Sequence, residues 1–165
     1  GTCAFVFQGG EPSLAGIEFF RAFSERVNAH PNPKHLQISY CFQTNGYAID
    51  EDWCKWFAEN KVLVGISLDG PKEIHDRYRV DYAGNGSFDR IVPKFQKLVE
   101  ARNGKDYYMR GTFTHANTDF TNDIFHMAGL IVQLEETEPG QNVNLRIMRR
   151  NGESFEEIKV NVTTR

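Results

Sequence analysis

The sequence predicts an α/β fold of parallel strands joined by helical crossovers, either part of a (β/α) barrel or an open sheet. Short apolar runs alternate four times with helical stretches, at strand-to-strand intervals of about 30 to 45 residues. The third run, Val62-Leu63-Val64-Gly65-Ile66-Ser67, is continuously apolar, as expected of a strand covered on both faces. Each of the four runs ends in a polar turn, which puts the unusual polar residues at carboxyl strand ends, where such folds bind ligands.

Composition sets the bounds. The chain has 165 residues, 40% of them hydrophobic and 25% charged, enough for one domain with a sizeable core. A net charge of −3 with no basic run argues against nucleic acid or an anionic surface as partner. No apolar stretch approaches the roughly 20 residues of a membrane span, and there is no secretory signal. Cys3, Cys41 and Cys54 are odd in number and lack CxxC spacing, so neither a disulfide framework nor a complete metal site is expected, and a reducing cytoplasm is the natural compartment. The chain begins at Gly1, one residue before a strand and without an initiator Met, as a fragment would.

The first strand is Ala4-Phe5-Val6-Phe7, ended by Gln8-Gly9-Gly10-Glu11-Pro12. Gly9 and Gly10 open backbone conformations closed to other residues and let a ligand approach bare main chain. Pro12 presets entry into a helix from Leu14 to about Ala29, with Leu14, Ile17, Phe20, Phe23 and Val27 at helical spacing. Pro31 and Pro33 terminate it. Leu36 to Phe42 reads as the second strand, followed by Gln43-Thr44-Asn45-Gly46. Asp50 is a good N-cap for a helix to Glu59, whose Trp53, Trp56 and Phe57 form a core stripe.

The third strand, Val62 to Ser67, ends in Leu68-Asp69-Gly70-Pro71, and a polar loop follows with His75, Arg77 and Arg79. Ser87 is placed to cap a helix running to about Ala101, with Pro93 tolerable only near its first turns. Asp106 to Thr114 reads as a fourth strand ending in His115-Ala116-Asn117, and a helix from about Phe120 to Ala128 closes the series. Residues 131–165 break the pattern. Glu135 to Gly140 is a polar turn; Val143 to Met148 and Ile158 to Val162 alternate around Asn151-Gly152, the signature of an antiparallel hairpin. The expected organisation is therefore residues 1–130 as the strand–helix series and residues 131–165 as a hairpin tail, the latter either a joined or truncated reading frame or a family-specific ending. Its Pro-Gly-Gln-x-Val-x-Leu-x-Ile run weakly resembles the closing strands of PDZ-like domains.

Four segments together resemble the radical S-adenosylmethionine (SAM) enzymes: Phe7-Gln8-Gly9-Gly10-Glu11-Pro12-Ser13-Leu14, Gln43-Thr44-Asn45-Gly46, Ser67-Leu68-Asp69-Gly70-Pro71 with His75-Asp76 and Arg79, and Arg110-Gly111-Thr112-Phe113-Thr114 with Asn117. The branch they are most similar to is the peptide- and protein-modifying maturases with a SPASM-type extension, either anaerobic sulfatase-maturating enzymes or SCIFF-type thioether maturases. The Arg-Gly-Thr-Phe-Thr segment leans towards the latter.

The resemblance implies a partial radical SAM barrel holding the second to fifth strand–helix units. It implies reductive cleavage of S-adenosylmethionine at a [4Fe–4S] cluster and hydrogen abstraction from a peptide or protein substrate, with ferredoxin or flavodoxin as electron donor. By the same resemblance Gly9, Gly10 and Glu11 hold the methionyl amino group, Ser67 and Arg79 the methionyl carboxylate, and Gln43 and Asn45 lie near the ribose. Gln8 faces the substrate. The family's CxxxCxxC cluster motif is absent and is expected upstream of Gly1, so no catalytic residue and no metal ligand is assigned in this chain. Two other readings stay open: a non-catalytic nucleotide- or peptide-binding α/β module, and an unrelated (β/α)-barrel enzyme in which Gly-Gly-Glu-Pro is only a turn.

Overall fold

Apolar residues spaced two apart on four short runs drive one parallel sheet. β1 (Thr2–Phe7), β2 (Gln37–Thr44), β3 (Leu63–Ser67) and β4 (Tyr107–Arg110) pair in the order β1-β2-β3-β4, every pair parallel. The computed structural model describes residues 1–114, 119–131, 142–151 and 154–163. His115, Ala116 and Asn117, the Glu135 to Gly140 turn and Gly152 lie outside the described residues.

Strand order that follows chain order, with helical crossovers, places the helices on one side, as in a barrel wall. The helices are α1 (Ile17–Ala29), α2 (Glu51–Glu59), the single-turn α3 (Lys72–His75), α4 (Phe88–Ala101) and α5 (Phe120–Ile131). Phe20 of α1, Trp53 and Phe57 of α2, Phe95 and Leu98 of α4 and Met127 of α5 share one core with Phe42, Val64 and Ile66 of the sheet. Aromatic edges fill its centre: Phe7 meets Phe20 at 5.0 Å, and Phe42 meets Phe57 at 5.1 Å, between ring centroids. Alternation sends Val6, Cys41, Gln43, Gly65, Ser67, Tyr108 and Arg110 to the other face. That face is partly open, with Val6 55% and Tyr108 38% exposed.

The chain divides into two compact units, Gly1–Gln133 and Leu134–Arg165. In the second, β5 (Asn142–Asn151) and β6 (Ser154–Thr163) form a separate two-stranded antiparallel sheet. Asn151 is its last paired residue, opposite Ser154.

Five local expectations are corrected. The first helix starts at Ile17, not Leu14: Pro12–Ala15 is a 3-10 turn, and Gly16 at φ 80° cannot continue a helix. Cys3 lies within β1 rather than before it. Lys72–His75 is helical where a loop was expected. Ser87 does not cap α4, because its hydroxyl is engaged with His75 and the Arg79 carbonyl; the Phe88 amide donates instead to Asp76 Oδ1 at 2.9 Å. β4 ends at Arg110 because the Thr112 amide turns away to the Asp69 carboxylate at 2.7 Å.

Candidate functional site

The carboxyl ends of the four strands enclose a cleft of about 560 Å³ lined by Gln8, Gly9, Gly10, Gln43, Ser67, Arg79, Arg110 and Thr112. β1 delivers its first three residues. Gly9 and Gly10 take φ of 92° and 53°, and a Cβ built on either meets nothing within 4 Å, so the turn presents bare backbone to open space.

Glu11 does not line the cleft; it fastens the floor. Its Oε1 accepts from the Ser13 amide (3.1 Å), the Ser13 hydroxyl (2.7 Å) and the Thr44 hydroxyl (2.9 Å), and Oε2 accepts from the Asn45 amide (2.7 Å). One carboxylate thus caps the 3-10 turn after β1 and ties it to the end of β2. Asn45 also turns aside: its Oδ1 accepts from the Tyr47 amide at 2.9 Å.

Gln43 and Ser67 face each other across the β2–β3 pair. Gln43 Nε2 donates to Ser67 Oγ (2.8 Å) and the Gly65 carbonyl (3.2 Å), while Tyr108 Oη donates to Gln43 Oε1 (2.9 Å). The Gly65 carbonyl, which can only accept, fixes the Gln43 Nε2 end towards the serine, and Tyr108 takes the oxygen end. Gly65 makes this possible, because a Cβ there would land on the Gln43 amide and the Tyr108 ring. Burial, with the nearby Cys41 thiol, pushes the Tyr108 phenol up to about 12, so it stays a donor at neutral pH.

Arg79 reaches the cleft already engaged. Its Nε donates to Asp69 Oδ2 at 2.5 Å and its Nη2 to Asp69 Oδ1 at 2.8 Å, a bidentate pair with a carboxylate that is 4% exposed. Arg110, opposite Ser67 in the β3–β4 register, lines the same cleft with its charge uncommitted among the described residues. The structure thus gathers Gln8, Gly9, Gly10, Gln43, Ser67 and Arg79 around one cleft and sets Glu11 and Asn45 behind it.

Asp69 and Arg110 stand in the strand-end motifs without a contact of their own being expected, and Tyr108 stands only in the fourth strand. Register holds the signal: once Ser67 is taken as facing the site, period-2 alternation on the neighbouring strand places Tyr108 and Arg110 on the same face. Cys3, Cys41 and Cys54 are free, and among the described residues no cluster of three or more His, Cys, Asp or Glu could hold a metal ion.

A one-sided row of parallel strands, the first ending in a Gly-Gly-Glu-Pro turn, with a polar cleft across the strand ends, is the part of a barrel that the resemblance to radical SAM enzymes implies. The particular relatives agree. The chain is 52% identical over 97 residues to a cysteine-type anaerobic sulfatase-maturating enzyme of Clostridium novyi, covering 59% of this chain and 26% of that protein. It is 30% identical over 122 residues to a serine-type anaerobic sulfatase-maturating enzyme of Bacteroides thetaiotaomicron, covering 74% of this chain and 28% of the relative. Among solved structures, native anSMEcpe with bound AdoMet and Cp18Cys peptide matches at a TM-score of 0.72 and 39% identity, over 78% of this chain and 35% of that one. The chain is therefore homologous to the anaerobic sulfatase-maturating enzymes, and spans about a quarter of their length. Of the two branches the motifs suggested, these relatives stand in the sulfatase-maturating one. No family model matches the chain.

Proposed function

We propose that this chain is the SAM-binding segment of a cytoplasmic radical enzyme that modifies a peptide or protein, in the manner of a sulfatase maturase. The observation that carries the proposal is the cleft itself, where an open Gly9–Gly10 backbone, the Gln43–Ser67 pair and an uncommitted Arg110 converge. Relatives solved with bound AdoMet and peptide support it.

The residues present fit the methionyl end of SAM. Glu11 Oε2 accepts one donor, the Asn45 amide, and each carboxylate oxygen carries two lone pairs, so from the cleft floor Oε2 would offer its second to an ammonium proton. Gly9 and Gly10 would pack against the same group. Ser67 and Arg110 would hold the methionyl carboxylate, a guanidinium fork suiting that anion, with Arg79 flanking it. Gln43 and Asn45 would border the ribose, and Gln8 the substrate. A [4Fe–4S] cluster beside the cleft would supply the electron that reductively cleaves bound SAM, drawn from ferredoxin or flavodoxin, and hydrogen abstraction from the substrate would follow. The cluster finds no ligand set among the described residues, and no step is assigned to it on this chain.

Calorimetric titration tests the reading. SAM should bind saturably, and decarboxylated SAM should bind at least about tenfold more weakly, because it lacks the partner for Arg110. Equal affinity for both would remove the carboxylate site, and no binding of either would remove the function.

A further inference from the structure

Behind the cleft, His75 closes a ring that cofactor binding does not use. The Asp69 amide donates to His75 Nδ1 at 3.3 Å, so Nδ1 carries no proton. The Ser87 hydroxyl donates its single proton to the Arg79 carbonyl at 2.8 Å, and can only accept from His75 Nε2, 3.0 Å away. Two separate contacts thus fix one state of the imidazole, the neutral Nε2–H tautomer. The Arg79 amide returns to the His75 carbonyl at 3.0 Å, and the Ser87 amide to the Arg79 carbonyl at 3.1 Å. The Arg79 guanidinium then closes on Asp69, whose Oδ1 also takes the Thr112 amide.

We propose that His75 is the positioning residue of this site: one fully buried imidazole clamps the main chain of Asp69 on one side and, through Ser87, that of Arg79 on the other. The pair is thereby held in register beside the cleft, and Asp69 stays free to bind the β4 end through Thr112. Any buried imidazole must pair both nitrogens, and here both partners lead to the main chain of the Asp69–Arg79 pair. This inference rests on the cleft being the SAM site only for its functional consequence; the clamp stands on its own geometry.

Charged groups around the ring set its response to acid. Burial holds the His75 pKa below its ordinary value, with Arg79 and Lys72 lowering it further and Asp69 and Asp76 opposing them; Phe88 of α4 packs on the ring edge at 5.8 Å. A second proton would sit on Nδ1 and face the Asp69 N–H. With the folded pKa below the unfolded one, the unfolded chain binds more protons in the window between them. The stability that the neutral ring contributes is full above the ordinary histidine value and falls as pH drops through that window, and the clamp itself opens only when the folded ring is protonated at the lower end.

The test uses the whole chain, isotopically labelled, with two-bond nitrogen–proton NMR on His75 and exchange of the Arg79 Nε proton. The wild type should show the Nε2–H tautomer from about pH 6.5 to 8 and a slowly exchanging Arg79 Nε proton. Ser87→Ala, which leaves the ring nitrogen in place, should speed that exchange roughly tenfold and weaken SAM binding by a similar factor. His75→Phe should do the same or more, and Ser87→Ala keeps the test intact should the phenylalanine variant fail to fold. An Nδ1–H tautomer, or Arg79 exchange unchanged in Ser87→Ala, overturns the clamp. If Arg79 responds as expected while no form of the chain binds SAM, the clamp holds and the functional reading of the cleft falls.

Discussion

Arg79 and Asp69 form a bidentate pair, Nε to Oδ2 at 2.5 Å and Nη2 to Oδ1 at 2.8 Å, at the mouth of the cleft where the sequence placed Arg79 alone. The pairing divides labour between the two arginines. Arg79 satisfies a buried carboxylate, and in the proposed reading Arg110 would bring net charge to the ligand.

That division predicts opposite phenotypes. Arg79→Met leaves Asp69 buried without its ion partner and should lower the free energy of unfolding by about 2–4 kcal/mol, read by urea denaturation. Arg110→Gln should leave unfolding within about 0.5 kcal/mol of wild type and weaken SAM binding at least about tenfold. If Arg110→Gln unfolds early and Arg79→Met does not, the assignment is reversed.

Glu11→Gln keeps size and shape but puts an amide N–H where backbone and hydroxyl donors now point. It should cost about 1–3 kcal/mol of stability by thermal or urea unfolding, in addition to weakening SAM binding. Glu18→Gln, on the exposed Glu18–Arg21 pair of α1, should stay within about 0.5 kcal/mol. Equal behaviour of the two variants would reduce Gly-Gly-Glu-Pro to a plain turn.

Gly46 follows Asn45 at φ 79°, and a Cβ there would fall on the Phe95 ring. Gly46→Ala combines left-handed strain with overpacking against α4 and should cost about 2–4 kcal/mol. A change below about 0.5 kcal/mol would show that the turn relaxes freely. Gly84→Ala, with a similar φ of 83° but open space around it, isolates the strain component at about 1 kcal/mol.

In the second unit, an isolated two-stranded sheet is marginal. Amides of β5 and β6 should exchange with deuterium far faster than those of Val64 and Ile66, which are fully buried in β3. Exchange in Val143 to Met148 as slow as in β3 would place the hairpin among the stable parts of the fold.

Much of this architecture was legible because it depends on local pattern. Four strands, their helices and the hairpin follow from apolar period, and Asp50 caps α2 as its residue type suggests, accepting from the Trp53 amide at 3.2 Å. The terminal turns Gly9–Gly10, Gln43 and Ser67 were legible for the same reason. What escaped depends on contacts far apart in sequence. Ser87 looks like a cap until His75, twelve positions earlier, takes its hydroxyl. Arg79 looks free until Asp69 turns towards it, and Glu11 reads as a ligand contact although its nearest partners are Ser13, Thr44 and Asn45. Arg110 stood in a quoted motif, but its place beside the cleft depends on register with Ser67, which the motif does not record.

If SAM binds across the carboxyl ends of β1 to β4, amide chemical-shift mapping of the labelled chain during a SAM titration will locate it there. Saturable shifts are expected at Gly9, Gly10, Ser67 and Arg110 and none at Gly104, with the shifts at a given SAM concentration much reduced in Arg110→Gln. Saturable shifts that leave Gly9 and Gly10 unmoved, or no shifts at any SAM concentration in a folded chain, would contradict it.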